Sequence, residues 1–210
     1  MAITVSGIAS VTSNATDSIR LGAGTANVVL QGSGAEVWAG SGNLTLNNHA
    51  SGAGSFTLHG GSGAIAVGQD HSTMTFIGGS GSAVLSGGQM NVTAGSGAVT
   101  VSNAQLLSFQ GGSGSANLCL NGLGSRINFG TGNTSVHGAG SGQANTFAFI
   151  AGQGGTDIIS NFIVGTDKAV LGSGVSVSSQ SIAGGSAKFS LSNGSTVTFV
   201  GITSTQGIFK

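Results

Sequence analysis

The side chains able to do chemistry are few. The chain carries five carboxylates (Asp17, Glu36, Asp70, Asp157 and Asp167), four histidines (His49, His59, His71 and His137) and one cysteine, Cys119. Glycosidase-type acid–base work would need two of those acids to converge. The sequence has neither a GxxxxGK[ST] phosphate loop nor a GxSxG nucleophile turn. His49, His59 and His71 are 10 and 12 residues apart, a spacing that could stack them on neighbouring layers of a repeat. No cysteine or acid is spaced to complete a metal site with them. Cys119, inside the apolar run ANLCL, reads as a small buried hydrophobe, and a single cysteine forms no intrachain disulfide. The expectation is a protein that is not an enzyme and has no resident cofactor.

Composition narrows the partners. Only 5% of residues are charged and the formal net charge is zero. Nothing is available to neutralise phosphates, so no nucleic-acid partner is expected. No run of about 18 apolar residues could cross a membrane as a helix. The start, MAITVSGIASVTSNATDSIR, has neither a basic n-region nor a continuous apolar h-region, so no cleavable secretory signal is expected. The 41 glycines argue against a helical protein, because each costs about 1 kcal/mol in a helix relative to Ala. The absence of Pro argues against collagen.

The elements that must position these residues are visible as a repeat. Gly-x-Gly followed by a β-favouring run recurs from Gly22 to Gly140, as in GSGAIAV, GSGSAVL and GSGAVTV. Major units start at 61, 79, 95, 112 and 130, and each holds a second strand-like run such as STMTF or QLLSF. Ile65 and Val67, Ala83 and Leu85, and Met74 and Phe76 keep period two, which sends one face inward. A unit is then turn, strand, turn, strand, too short to fold alone and stable only when stacked. The Gly-x-Gly corners suit turns with positive φ. The predicted fold is all-β: a parallel β-roll, or β-solenoid, of coils of about 18 residues. Residues 1–143 form the repetitive body and 144–210 a fuller-cored C-terminal β cap, where six of the ten Phe lie.

The stretch NTFAFIAGQGGTDIISNFIVGTDKAVL, residues 145–171, resembles the end of an RTX (repeats-in-toxin) array. Asn145, Thr146, Phe147 and Phe149 match an Asp-Thr-Phe-x-Phe strand, with Asn for Asp. Asp157, Ile158, Asn161 and Phe162 match Asp-x-Ile-x-Asp-Phe, and Gly165, Asp167, Lys168 and Leu171 match Gly-x-Asp-Lys-Ile-x-Leu. The tail FSLSNGSTVTFVGIT is similar to the strand pair that ends many such proteins. The resemblance implies a parallel β-roll, export by type I secretion machinery through an uncleaved C-terminal signal, and an extracellular or cell-surface location. The family binds calcium through an Asp in each nonapeptide, and here that position holds Ile65, Ala83 and Ala116. Calcium takes six to eight oxygen ligands. A calcium ladder is therefore not expected, and Asp157 and Asp167 are the candidates for any single site. The alternative for both is that they cap turns by binding backbone N–H groups.

The surface suggests a building block. Outward positions of the repeats hold Ser, Thr, Asn and Ala, and the N-terminal run lacks the Lys or Pro that usually blocks a sheet edge. Ile3, Val5, Ile8 and Val11 alternate as one exposed strand ready for a partner. The leading expectation is a secreted structural homo-polymer joined head to tail, a filament or layer of the biofilm-matrix or surface-fibre kind, built by strand addition. The alternative is a monomeric adhesive or carbohydrate- or ice-binding module.

Overall fold

Period-two burial runs through most rungs, and Phe147, Ala148 and Phe149, buried in succession, break it. The computed structural model describes residues 2–14, 16–49, 54–70, 72–122, 124–138 and 144–210. The first three coils are β1 (Ala2–Val5) with β2 (Ala9–Ser13), β3 (Ser18–Leu21) with β4 (Ala26–Leu30), and β5 (Ala35–Trp38) with β6 (Leu44–Asn48). The next three are β7 (Ser55–His59) with β8 (Ile65–Gln69), β9 (Thr73–Ile77) with β10 (Ala83–Ser86), and β11 (Gln89–Thr93) with β12 (Val99–Ala104). Then come β13 (Leu106–Gln110) with β14 (Ala116–Leu120), β15 (Arg126–Asn128) with β16 (Thr134–His137), and β17 (Thr146–Phe149) with β18 (Thr156–Ser160). The chain ends in β19 (Lys168–Leu171), β20 (Val177–Ala183), β21 (Ser186–Leu191) and β22 (Thr196–Phe199). The fold is all-β, a solenoid of about nine turns, with no helix among the described residues.

Odd-numbered strands from β1 to β19 form one ten-stranded sheet. Even-numbered strands from β2 to β18, followed by β22, β21 and β20, form a twelve-stranded sheet facing it. Each strand pairs in parallel with the one a coil away, in a constant register: Val28 opposite Leu46, Leu46 opposite Val67, Val67 opposite Leu85. Among the described residues the only ladders that run antiparallel join β20 to β21 and β21 to β22. Register shifts fall between Val101 and Ala104, beside Asn103 with φ 55°, and between Val177 and Ser179 in the β20–β21 pair.

Constant register turns side chains into columns. The first sheet sends Ile19, Val37, Leu58, Phe76, Val92, Phe109, Ile127 and Phe147 inward, every one of them buried. The second sheet answers with Val28, Leu46, Val67, Leu85, Val101, Leu118 and Val136. A slip of one residue would turn a whole column into solvent, so the columns fix the register.

The corners correct one expectation. Among the described residues the recurring Gly-x-Gly glycines lack positive φ except Gly34, and the other positive-φ glycines, such as Gly87 and Gly165, lie elsewhere. Their role is close approach. A Cβ on Gly63, Gly81, Gly97 or Gly114 would overlap the carbonyl oxygen of the Gly-x-Gly glycine one coil earlier. The corners therefore stack backbone on backbone, with no room for a methyl group between coils.

The two ends differ. At the N-terminal end β1 and β2 are edge strands of their sheets. At the C-terminal end the second sheet overhangs through the antiparallel β21 and β20. Beneath that overhang Phe162 packs on Phe199 at 4.8 Å and Phe189 on Phe209 at 4.9 Å, both edge-on. Phe209 also bridges to Ala169, and the Lys210 N–H donates to the Ala169 carbonyl at 3.0 Å, covering β19. The anticipated boundary at 143/144 adjoins residues 139–143, which lie outside the described residues. Both sheets continue across it, since β17 pairs with β15 and β18 with β16.

Candidate functional site

Asp157 sits near the head of β18, in an inward column that also holds Leu44, Ile65, Ala83, Val99, Ala116 and Thr134. It is fully buried. The Thr134 N–H donates to its Oδ1 at 3.2 Å, and Oδ2 has no hydrogen-bond partner. Burial pushes its carboxyl up to about 7, with hydrogen bonds from Thr134 pulling the other way. Below about pH 7 it is therefore largely a carboxylic acid, a poor calcium ligand.

Asp167 has a different neighbourhood. Its Oδ1 accepts from the Asn145 backbone N–H at 2.9 Å and from Asn145 Nδ2 at 3.2 Å, and its Oδ2 accepts from the Ile163 N–H at 2.8 Å. The pattern continues down the solenoid: the Ser125 N–H donates to Asn145 Oδ1, and the Leu107 N–H to Ser125 Oγ. One corner is thus held by a ladder of side-chain oxygens, each receiving an N–H from the coil below. Asp167 is its last step and acts as a turn cap. Asp157 is the second residue of β18 and Asp167 closes the corner after it, so the rest of the strand, roughly 10 Å, and the corner separate the two. The structure does not bring them together. No group of three or more His, Cys, Asp or Glu converges among the described residues.

The histidines do not stack. His49 follows β6 in one sheet and His59 ends β7 in the other, while His71 lies outside the described residues. His49 Nδ1 is 3.7 Å from Asp70 Oδ2 on an exposed surface, an ion pair of little energetic weight. His137 is locked by neighbours. Its Nδ1 is 3.1 Å from Ser160 Oγ and its Nε2 is 3.1 Å from Asn161 Nδ2. The amide can only donate, so Nε2 accepts and Nδ1–H donates. Cys119 is the register partner of His137 and is half-buried, a departure from the expected buried position. Both nitrogens of His137 are engaged elsewhere, which leaves no base for the thiol.

One surface cluster escaped the sequence reading. On the outer face of the first sheet, Arg20, Trp38 and His59 are register partners on β3, β5 and β7. The Arg20 guanidinium carbon lies 4.2 Å over the indole, and the His59 ring stacks on it at 4.9 Å with a 3° tilt. His59 Nε2 is 2.9 Å from Glu36 Oε1. Both faces of the indole are covered, so it offers no platform for a sugar ring. Register columns produce this stack, and nothing in the linear spacing of 18 and 21 residues announced it.

The proposed assembly residues divide between two strands. Ile3 and Val5 belong to β1 and pack partly against the core, Val11 is buried on β2, and Ile8 stands 92% exposed at the corner between them. The run is therefore two edge strands in opposite sheets and a corner, where the sequence suggested one strand. Comparison with protein-family models, curated proteins and solved structures finds no match to this chain.

Proposed function

We propose that this chain is a secreted structural protein whose copies assemble end to end into an extracellular filament or layer. The observation that carries the reading is the N-terminal end: β1 and β2 are adjacent edge strands with no Lys or Pro on them. Ile3, Val5 and Ala9 are only partly buried there, although they face the core. Unpaired N–H and C=O groups beside half-covered apolar side chains favour strand addition by another chain. The RTX-like C-terminal region supports export by a type I route. The outer faces, poor in charge, support close packing of assembled copies. Negative-stain electron microscopy of purified protein tests the reading. Filaments or sheets are expected as concentration rises, and monodisperse monomers at high concentration would overturn it.

A monomeric adhesive module is the second reading. Thr57, Thr75, Asn91 and Ser108 stand in register along the outer face of the first sheet, a row of small hydrogen-bonding groups. Saturable retention on glycan or ice surfaces by a monomer would favour it.

A further inference from the structure

The C-terminal end offers a second free edge, and its direction is informative. β21 runs against β22 and β20 runs against β21, so β20 points the same way as every repeat strand of its sheet, β2 included. Beyond the level of β19 the second sheet overhangs by the two strands β21 and β20, about 10 Å. The inner face of this overhang is unfinished. Ile182 lies opposite buried Ala187 and Gln180 opposite buried Phe189, so both look toward the core side. Ile182 is nevertheless 47% exposed, and six of the seven residues of β20 are exposed. β20 also lacks charge and Pro along VSSQSIA.

Charge distinguishes the ends as well. Residues 2–70 carry Asp17, Glu36 and Asp70 against Arg20 alone. Residues 144–210 expose Lys168, Lys188 and Lys210, whereas Asp157 and Asp167 there are buried. Between these regions only Arg126 is charged. The C-terminal region is therefore basic at its surface, whereas β1 and β2 themselves carry no charged side chain. Two basic C-terminal ends repel each other at low ionic strength.

We propose that β20 of one copy receives β2 of the next in parallel, so that copies join head to tail and Ile182 is covered by the open first coil. This rests on the assembly reading above and adds its polarity and its two surfaces. Heterologous contact of this kind continues indefinitely, whereas contact between two N-terminal ends would close as a dimer.

Two single-cysteine variants in a Cys119→Ser background test it. Ser10→Cys marks the outer face of β2, and Ser181→Cys marks the outer face of β20, opposite outward Lys188. Each is treated with a short bis-maleimide, alone and mixed. The expected result is a covalent dimer in the mixture well above either variant alone. Dimers from Ser10→Cys alone, or assemblies visible by microscopy with no cross-link in the mixture, would overturn the polarity and leave the assembly reading standing. Absence of any assembly would overturn both. Ile182→Lys gives an independent check: circular dichroism should be unchanged while assembly is lost by tenfold or more. Unaltered assembly would overturn the proposal.

Discussion

Asp157 and Asp167 show how one residue type takes two roles under different neighbours. Asp167 receives three N–H groups and serves as a fixed acceptor at a corner. Asp157 receives one backbone N–H inside a column that is apolar apart from Thr134, and its carboxyl is displaced from 3.8 to about 7 because burial disfavours the charge. The protonated form is thus favoured by folding. The folded chain holds more protons than the unfolded chain between those two values, so stability should fall as pH rises from about 4 through about 7. The loss across that window is a few kcal/mol. Urea midpoints measured across it should decline, and Asp157→Asn should flatten the decline while keeping the acceptor for the Thr134 N–H. A midpoint that does not change across the window in the parent protein would contradict the assignment.

At the scale of the coil, the stacked corners set the tightest constraint. A methyl group at position 81 would overlap the Gly63 carbonyl oxygen, which is backbone and cannot turn aside. Gly81→Ala is therefore expected to destabilise by about 3 kcal/mol, the upper range for overpacking. Gly184→Ala, at an open hairpin turn with φ 59°, meets no neighbouring atom and carries only the strain of its backbone. Comparison of the two melting temperatures separates crowding from conformation, and an equal fall would refute the crowding account. Two-fold alternation at Ile65 and Val67 or Met74 and Phe76, with the repeat spacing, made the strands, their inward faces and the coil length readable in advance. The reason for the glycines was not readable, because close approach and positive φ leave the same residue in the sequence. Nor was the split of the N-terminal run, where Ser6-Gly7-Ile8 turns a corner that Ile3, Val5, Ile8 and Val11 disguise as continuous alternation. The Arg20–Trp38–His59 stack was equally hidden, since it exists only once register is fixed.

In the whole molecule each coil touches only the coils beside it, so stability is set by neighbours and by the two ends. The ends are unequal. The C-terminal coils are filled by the edge-on rings of Phe162, Phe189, Phe199 and Phe209 and extended by antiparallel β21 and β20, which leaves β20 alone as a free edge. The first coil has one neighbour, and Ile3, Val5 and Ala9 keep part of their surface in water. Opening of β1 and β2 therefore breaks a single interface, whereas opening of β9 to β14 breaks two. Native-state hydrogen exchange should show this as a gradient: fastest in β1 and β2, slowest through the middle coils, with the Phe-filled C-terminal coils closer to the middle than to the start. Exchange measured on the same protein after assembly adds the decisive comparison. If another copy supplies the missing neighbour, protection should rise in β1 and β2 and along β20, and stay level in β9 to β14. Equal protection of β1 and β9 in the monomer would mean that the first coil is already closed by its own chain, and the case for an open end would fail.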